Sequence, residues 1–272
     1  MAKKRLVFCT YPSVYSSLVL KRLLADHDID VVAIISSSRV LNKNYGALRA
    51  ALKQIQLSGW RYSTYLFFVT DLFAVLSALI PARDKLPSIA KLAKNRHIPL
   101  LKTSDINDPG VCQFIHSKKP EFLLAAHFNQ LIKPLLLDMP NMTCLNIHPS
   151  LLPDYKGVDP VFFALLDKQQ HIGVTLHEMA ERFDTGKVLS QQSFLLKQYD
   201  NVFSHNCRLF STGAELALTL MKKASIPSGK PQKPGQGCYD SWPDPASIKS
   251  LRRKGFYLIK LRDYFNKLGF FK

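Results

Sequence analysis

Apolar positions along this chain fall into two periodicities. RLVFCT (5–10), DVVAIISS (30–37), EFLLAAHF (121–128) and CLNIHP (144–149) are short, nearly continuous apolar runs that read as buried strands, and GVTLHEM (173–179) alternates as a half-buried strand does. VLSQQSFLL (188–196) fits a two-strand reading. Between these runs, VYSSLVLKRLLAD (14–26), a stretch around Pro109 to Lys118, VFFALLDK (161–168) and SHNCRLFSTGAELALTLMKKA (204–224) repeat apolar residues at helical spacing. Strands alternating with helices of this length predict an α/β fold, with an open, mostly parallel, Rossmann-like sheet and helices on both faces.

Two segments break the alternation. Residues of about 37–95 form a long insertion predicted to be helical; its first half carries Arg39, Lys43, Arg49 and Lys53 and no acidic residue. Its second half, YSTYLFFVTDLFAVLSALIP, is apolar apart from Asp71 and lies between Arg61 and Arg83. The run borders on membrane-spanning length, but Asp71 and the Ser/Thr residues weaken that reading. A helix packed on the domain or on a second subunit is preferred, with a helix lying on a membrane surface as the competitor. After about Ala224 the chain becomes rich in Pro, Gly and Ser and then ends in SIKSLRRKGFYLIKLRDYFNKLGFFK, a basic stretch with Leu251, Leu258, Leu261, Phe265 and Leu268 at helical spacing. The predicted organisation is a domain over 1–225 followed by a Pro/Gly-rich linker and a short helical tail over 226–272.

Composition narrows the partners. Over 272 residues, 37 Lys and Arg against 20 Asp and Glu give a formal charge of +17, with 47% hydrophobic residues. That balance excludes a disordered chain and favours anionic partners: nucleic acid, phosphorylated substrates or anionic membranes. From Gly229 onward 10 Lys/Arg face 3 Asp, so much of the charge sits in the tail. The five cysteines are widely separated with no CxxC pair, which argues against a disulfide framework and a zinc site, so no metal is expected. The opening MAKKRLVFCTYPSV has too short an apolar run for a signal peptide, and the expected compartment is the cytoplasm.

The densest chemistry is LNIHPSLLPDYKGVDP (145–160). Asn146 and His148 alternate at a strand end, so both point to one face, where open α/β sheets bind ligands. A lone histidine is more often a structural residue; the Asn-x-His before Pro149 raises the functional reading without settling it. Asp184, in EMAERFDTGKVL, occupies an Asp-Thr-Gly turn that by itself is an ordinary turn sequence. Lys156 and Asp159 fit loop-shaping better than substrate contact.

Together, NIHPSLLPDYKG and GVTLHEMAERFDTGKVL resemble the signature of the formyltransferases that use 10-formyltetrahydrofolate, a family holding methionyl-tRNA formyltransferase, glycinamide ribonucleotide formyltransferase and the nucleotide-sugar N-formyltransferases. The resemblance covers roughly 4–36 and 97–222. It implies a formyltransferase fold, 10-formyltetrahydrofolate as formyl donor, and a primary amine as acceptor. It places Asn146, His148 and Asp184 at the family's catalytic positions and His177 at a position that is His in some branches. AAHFNQLIKP (125–134) resembles the loop that cradles the pterin mainly through backbone groups, which implies donor contacts at Phe128, Asn129, Gln130, Leu131 and Ile132, and at Glu181 and Phe183 on the stretch leading to Asp184. The required chemistry suits these residue types: the formyl oxygen becomes negative in a tetrahedral intermediate, Asn146 and His148 offer N–H donors to it, and Asp184 can take the proton of the attacking amine.

Family members differ mainly in the amine. The turn CTYPSVYSS lacks the Gly-rich phosphate loop of glycinamide ribonucleotide formyltransferases, and Pro149 stands where the family's hydrolases usually have His, so transfer to another amine is expected. TYP, LLLDMPNMTCLNIHPSLLP, FDTG and the basic insertion resemble the methionyl-tRNA branch, which implies initiator methionyl-tRNA as acceptor. That branch carries a second, barrel-like domain, for which the roughly 48 residues after Ala224 are too few. The alternatives are an amino sugar or another small amine, or a non-catalytic folate-binding or membrane-surface module.

Overall fold

A computed structural model describes residues 3–39, 41, 45–79, 85–196, 201–233 and 235–270. Seven strands form one sheet in the order β3-β2-β1-β4-β5-β7-β8: β1 (Lys4–Thr10), β2 (Ile29–Ser37), β3 (Leu100–Thr103), β4 (Phe122–Ala126), β5 (Thr143–His148), β7 (His171–Glu178) and β8 (Val188–Leu195). The first five run parallel, while β7 pairs antiparallel with both β5 and β8. Successive residues of a strand face opposite sides, and the buried residues divide accordingly. Leu6, Phe8, Leu124, Leu145 and Ile147 join one core with α1 (Val14–Leu23) and α8 (Val202–Met221). Val7, Cys9, Ile35, Leu123 and Ala125 join a second with α5 (Pro109–Ser117). The expected fold class is therefore present: a mostly parallel sheet with helices on both faces.

Three local expectations are corrected. The strand β3 went unread, and EFLLAAHF supplies the fourth strand, not the third; β3 is a four-residue edge strand with no fully buried side chain, so it lacks the apolar run that marks its neighbours. VLSQQSFLL forms the single strand β8. The last part of the stretch read as insertion, α4 (Ile89–Asn95), is the crossover helix between β2 and β3.

The insertion proper is α2 (Ala47–Phe67), a π-helical turn over Phe68–Leu72 and α3 (Phe73–Leu79). Lys43 and Arg83 lie outside the described residues. Gly59, at φ 73°, kinks α2. Buried positions recur at Ala50, Gln54, Ser58, Tyr62, Tyr65, Val69, Phe73 and Ser77, so the insertion is packed on the domain along one stripe. The tail holds two helices, α9 (Pro245–Arg253) and α10 (Leu261–Leu268), and both pack on the insertion as well as on the core. Trp242 meets Tyr62 edge-on, and the Tyr264 hydroxyl donates to the Phe68 carbonyl at 2.8 Å.

Candidate active site

The carboxyl ends of β4 and β5 open into a cleft of about 690 Å³, a size typical of small-molecule sites. Because side chains on β5 alternate, Asn146 and His148 share the face opposite Ile147, and the antiparallel register sets His177 of β7 directly across from Asn146. The turn after β7 returns Asp184 to the same place. Asp184 adopts a left-handed conformation, φ 56°, which Asp tolerates better than most residues because its short polar side chain bonds locally.

These four side chains form one cluster, with His148, His177 and Asp184 buried and Asn146 half-buried. His148 Nδ1 lies 3.4 Å from Asp184 Oδ1, and His177 Nε2 lies 3.7 Å from the same oxygen. The backbone N–H of Gly157 donates to Asp184 Oδ2 at 2.9 Å. Gly157 belongs to β6 (Lys156–Gly157), which pairs with β9 (Tyr239–Asp240) from the tail. A Cβ at Gly157 would stand 2.3 Å from the Asp240 carbonyl oxygen, and its φ of 97° is open only to glycine, so this position permits both the pairing and the contact with Asp184. Gln232, also from the tail, donates to the carbonyls of Asp184 and Gly186 at 3.0 and 2.7 Å and fixes the turn from behind.

Hydrogen-bond geometry sets the protons. His177 Nδ1 donates to the Glu178 carbonyl, which can only accept, at 2.6 Å, so in the neutral ring Nε2 is the acceptor for an N–H of Asn146 Nδ2 at 3.1 Å. The other hydrogen on Asn146 Nδ2 is 3.5 Å from Asp184 as a heavy-atom distance, too long for a strong bond, and stays available. His148 Nε2 donates to the Tyr155 carbonyl at 2.9 Å, so the nitrogen facing Asp184 is Nδ1. The imidazole N–H expected to reach the formyl oxygen is thus spent on Tyr155, and the neutral ring presents the Nδ1 lone pair toward Asp184.

Burial is the largest influence on His148 and lowers its pKa, against the opposing pull of Asp184 and the Tyr155 carbonyl. Burial alone would raise the Asp184 pKa; His148, His177 and the Gly157 N–H outweigh it and hold the carboxyl well below the usual carboxylate range. Near neutral pH the cluster thus holds an ionised Asp184 beside a neutral His148. The Nδ1 lone pair and a carboxylate oxygen then face each other across 3.4 Å, a gap that one proton would bridge.

Of the positions implied for the donor, Phe128 through Ile132 and Phe183 line the cleft, while Glu181 is exposed outside that lining. The Gln130 side chain is consumed internally: it accepts from the Ile106 N–H and donates to Ser37 and the Thr103 carbonyl. Asn129 likewise bonds Ser37 and the Arg39 carbonyl. These side chains brace the loop and leave its backbone to face a ligand. At the neighbouring turn, Ser13 and Ser16 close the N-terminus of α1 with a capping box.

The opposite wall comes from the insertion, which sequence reasoning did not place at the site. Tyr62 donates to Asp159 at 2.8 Å, and Tyr15 and Tyr65 share a 2.6 Å hydroxyl contact. Asp159 is half-buried, and the loss of solvent around its carboxyl raises its pKa against the donors Tyr62, Asn206 and the Phe162 N–H. It ties the insertion to the Gly157 loop, and Lys156 bonds the Gln236 carbonyl at 2.8 Å, so both residues shape the loop. Tyr62 and Tyr65, three apart in an apolar run, were the available sign of an inward-facing stripe. Among the described residues no group of His, Cys, Asp and Glu is arranged to hold a metal ion.

A family model described as "Formyl transferase" matches residues 4–218, most of the chain and all of this cluster. The chain belongs to the formyl transferase family. It is 32% identical over 136 residues to a methionyl-tRNA formyltransferase of Syntrophus aciditrophicus, an alignment covering 50% of this chain and 44% of that one. A methionyl-tRNA formyltransferase of Halalkalibacterium halodurans is 33% identical over 130 residues, 48% of this chain and 41% of that one. The match thus spans under half the length of these relatives. Among solved structures, a phosphoribosylglycinamide formyltransferase from Bacillus halodurans superposes with a TM-score of 0.54 at 18% identity, covering 82% of this chain and 97% of that one. A sugar N-formyltransferase from Shewanella gives 0.54 at 18%, with 91% and 79% covered. At these identities the structures share the fold alone.

Proposed function

We propose that the enzyme moves a formyl group from 10-formyltetrahydrofolate to a primary amine in the cytoplasm, through Asn146, His148 and Asp184. The observation that carries this is the cluster itself: an amide N–H held only weakly, 3.5 Å from Asp184, and a histidine and carboxylate poised 3.4 Å apart at the strand ends where ligands bind. The cleft's volume and the backbone left open by the internally bonded Asn129 and Gln130 suit a pterin. When bound, the folate supplies an activated formyl carbon. Asn146 donates to the formyl oxygen as that oxygen gains negative charge. The amine forms its new N–C bond, the bond from N10 to the formyl carbon breaks, and the proton lost by the amine enters the His148–Asp184 pair before reaching N10. His177 holds Asn146 in orientation.

For the acceptor, the first reading is initiator methionyl-tRNA. The relatives named for that activity and the +17 charge support it. A second reading, an amino sugar or other small amine, is favoured by the cleft's wall, where Trp60, Tyr62 and Tyr65 of the insertion narrow the approach to His148. Release of tetrahydrofolate from 10-formyltetrahydrofolate, followed with charged initiator tRNA, amino sugars or buffer alone, separates these. Turnover confined to tRNA supports the first, turnover with a small amine the second, and release in buffer alone identifies a hydrolase.

A further inference from the structure

The first half of α2 is oriented against the usual rule. Its inward positions are small or polar, Ala50, Gln54 and Ser58, with Gln54 donating to Ser58 at 3.0 Å. Leu48, Leu52 and Ile55, spaced four and three apart, form a single stripe that points outward, 76%, 55% and 45% exposed. Beyond the Gly59 kink, Trp60 and Phe67 extend the apolar surface, 66% and 50% exposed. A leucine stripe turned to water costs stability unless something covers it.

The charge around the stripe indicates what does. No acidic residue occurs from Val31 through Thr70, while Arg49, Lys53 and Arg61 are all exposed along α2. The tail helix α9 packs beside α2 at Gly59, where a Cβ would approach Pro245 to 3.3 Å, and carries the exposed Lys249, Arg252 and Arg253. Apolar side chains flanked by cations match a bilayer surface, whose acyl boundary takes the first and whose anionic headgroups take the second. An RNA would engage the cations and leave the leucines uncovered.

We propose that the insertion docks the enzyme on an anionic lipid surface through Leu48 and Leu52, with Arg49, Lys53 and the α9 cations on the headgroups. The stripe continues through Ile55 to Trp60 and Phe67 at the cleft mouth, so the docked enzyme opens its cleft toward the headgroups. This holds whichever amine is formylated.

The test uses the full chain with vesicles of phosphatidylglycerol and phosphatidylcholine mixed, and of phosphatidylcholine alone. Cosedimentation is expected with the anionic vesicles, to weaken as salt rises, and to fall by about tenfold or more in a Leu48→Glu/Leu52→Glu variant. Both leucines are exposed and off the cleft lining, so that variant keeps its far-ultraviolet dichroism and its tetrahydrofolate release in solution. An Arg49→Gln/Lys53→Gln variant should bind anionic vesicles more weakly. The emission of Trp60, one of two tryptophans, should shift to the blue on binding and the shift should vanish in Trp60→Phe. Three outcomes overturn the proposal: no binding to anionic vesicles, equal binding by wild type and Leu48→Glu/Leu52→Glu, or a solution dimer that the leucine variant abolishes. Since turnover is measured separately, an inactive chain that binds vesicles overturns only the catalytic reading.

Discussion

Replacing Asp184 with Asn removes one charge and little else. Asn also accepts the left-handed backbone at φ 56°, and its carbonyl oxygen can still take the Gly157 N–H, so the turn should persist. What disappears is the anion 3.4 Å from His148 Nδ1, where the amine's proton is to be held. At an effective dielectric of ~20, an imidazolium and a carboxylate at that separation attract by about 5 kcal/mol. Only part of the charge has developed at the transition state, so about 3–5 kcal/mol of stabilisation is lost. At about 1.4 kcal/mol per decade this lowers turnover by roughly 10²- to 10⁴-fold. The loss should fall on kcat, with KM for 10-formyltetrahydrofolate nearly unchanged, because Asp184 is placed to act on the proton. Steady-state kinetics of Asp184→Asn, with circular dichroism to verify the fold, checks this. A loss below tenfold, or one confined to the donor's KM, would refute the proton-holding role.

Tyr62→Phe removes the donor that anchors the insertion on the half-buried Asp159 and should cost about 1–3 kcal/mol in urea unfolding. Gly157→Ala forces a Cβ against Asp240 at positive φ; we expect a destabilisation of at least about 2 kcal/mol in thermal melts, together with loss of activity as the Asp184 anchor shifts. Acidification should destabilise the fold through His148. Its pKa is lowered in the folded state, so its contribution is complete above the unfolded value of ~6.5 and is lost as pH falls through the folded one. Asp184, also lowered, loses its contribution only in stronger acid, below the unfolded value of ~3.9. The difference in urea midpoint between wild type and His148→Gln should therefore shrink from about pH 7.5 to about pH 5.5; a constant difference contradicts the shift.

Much of this was legible in the chain. The buried strands announced themselves because both faces of a parallel sheet are covered, which leaves near-continuous apolar runs such as LVFC and FLLAA. Asn146 and His148 were readable from their alternation before Pro149. Asp184 was legible only through a motif paired across some forty residues, since its local sequence is an ordinary turn. The edge strand β3 escaped because its side chains are half exposed and it lacks an apolar pattern. The Tyr62–Asp159 bond and the pairing of β6 with β9 join residues 97 and some 80 positions apart, and no local pattern encodes such contacts. The outward leucine stripe was hidden for a related reason: periodicity shows that α2 is amphipathic, but packing decides which face turns inward.

The central claim is that Asn146, His148 and Asp184 deliver a formyl group to an amine. Its most direct test is to incubate the enzyme with 10-formyltetrahydrofolate carrying ¹³C in the formyl group, together with the acceptor amine, and to follow the label by NMR. The label should appear in an N-formyl product with wild type and be missing with His148→Ala. Label recovered only as free formate, or an N-formyl product formed equally well by His148→Ala, would contradict it.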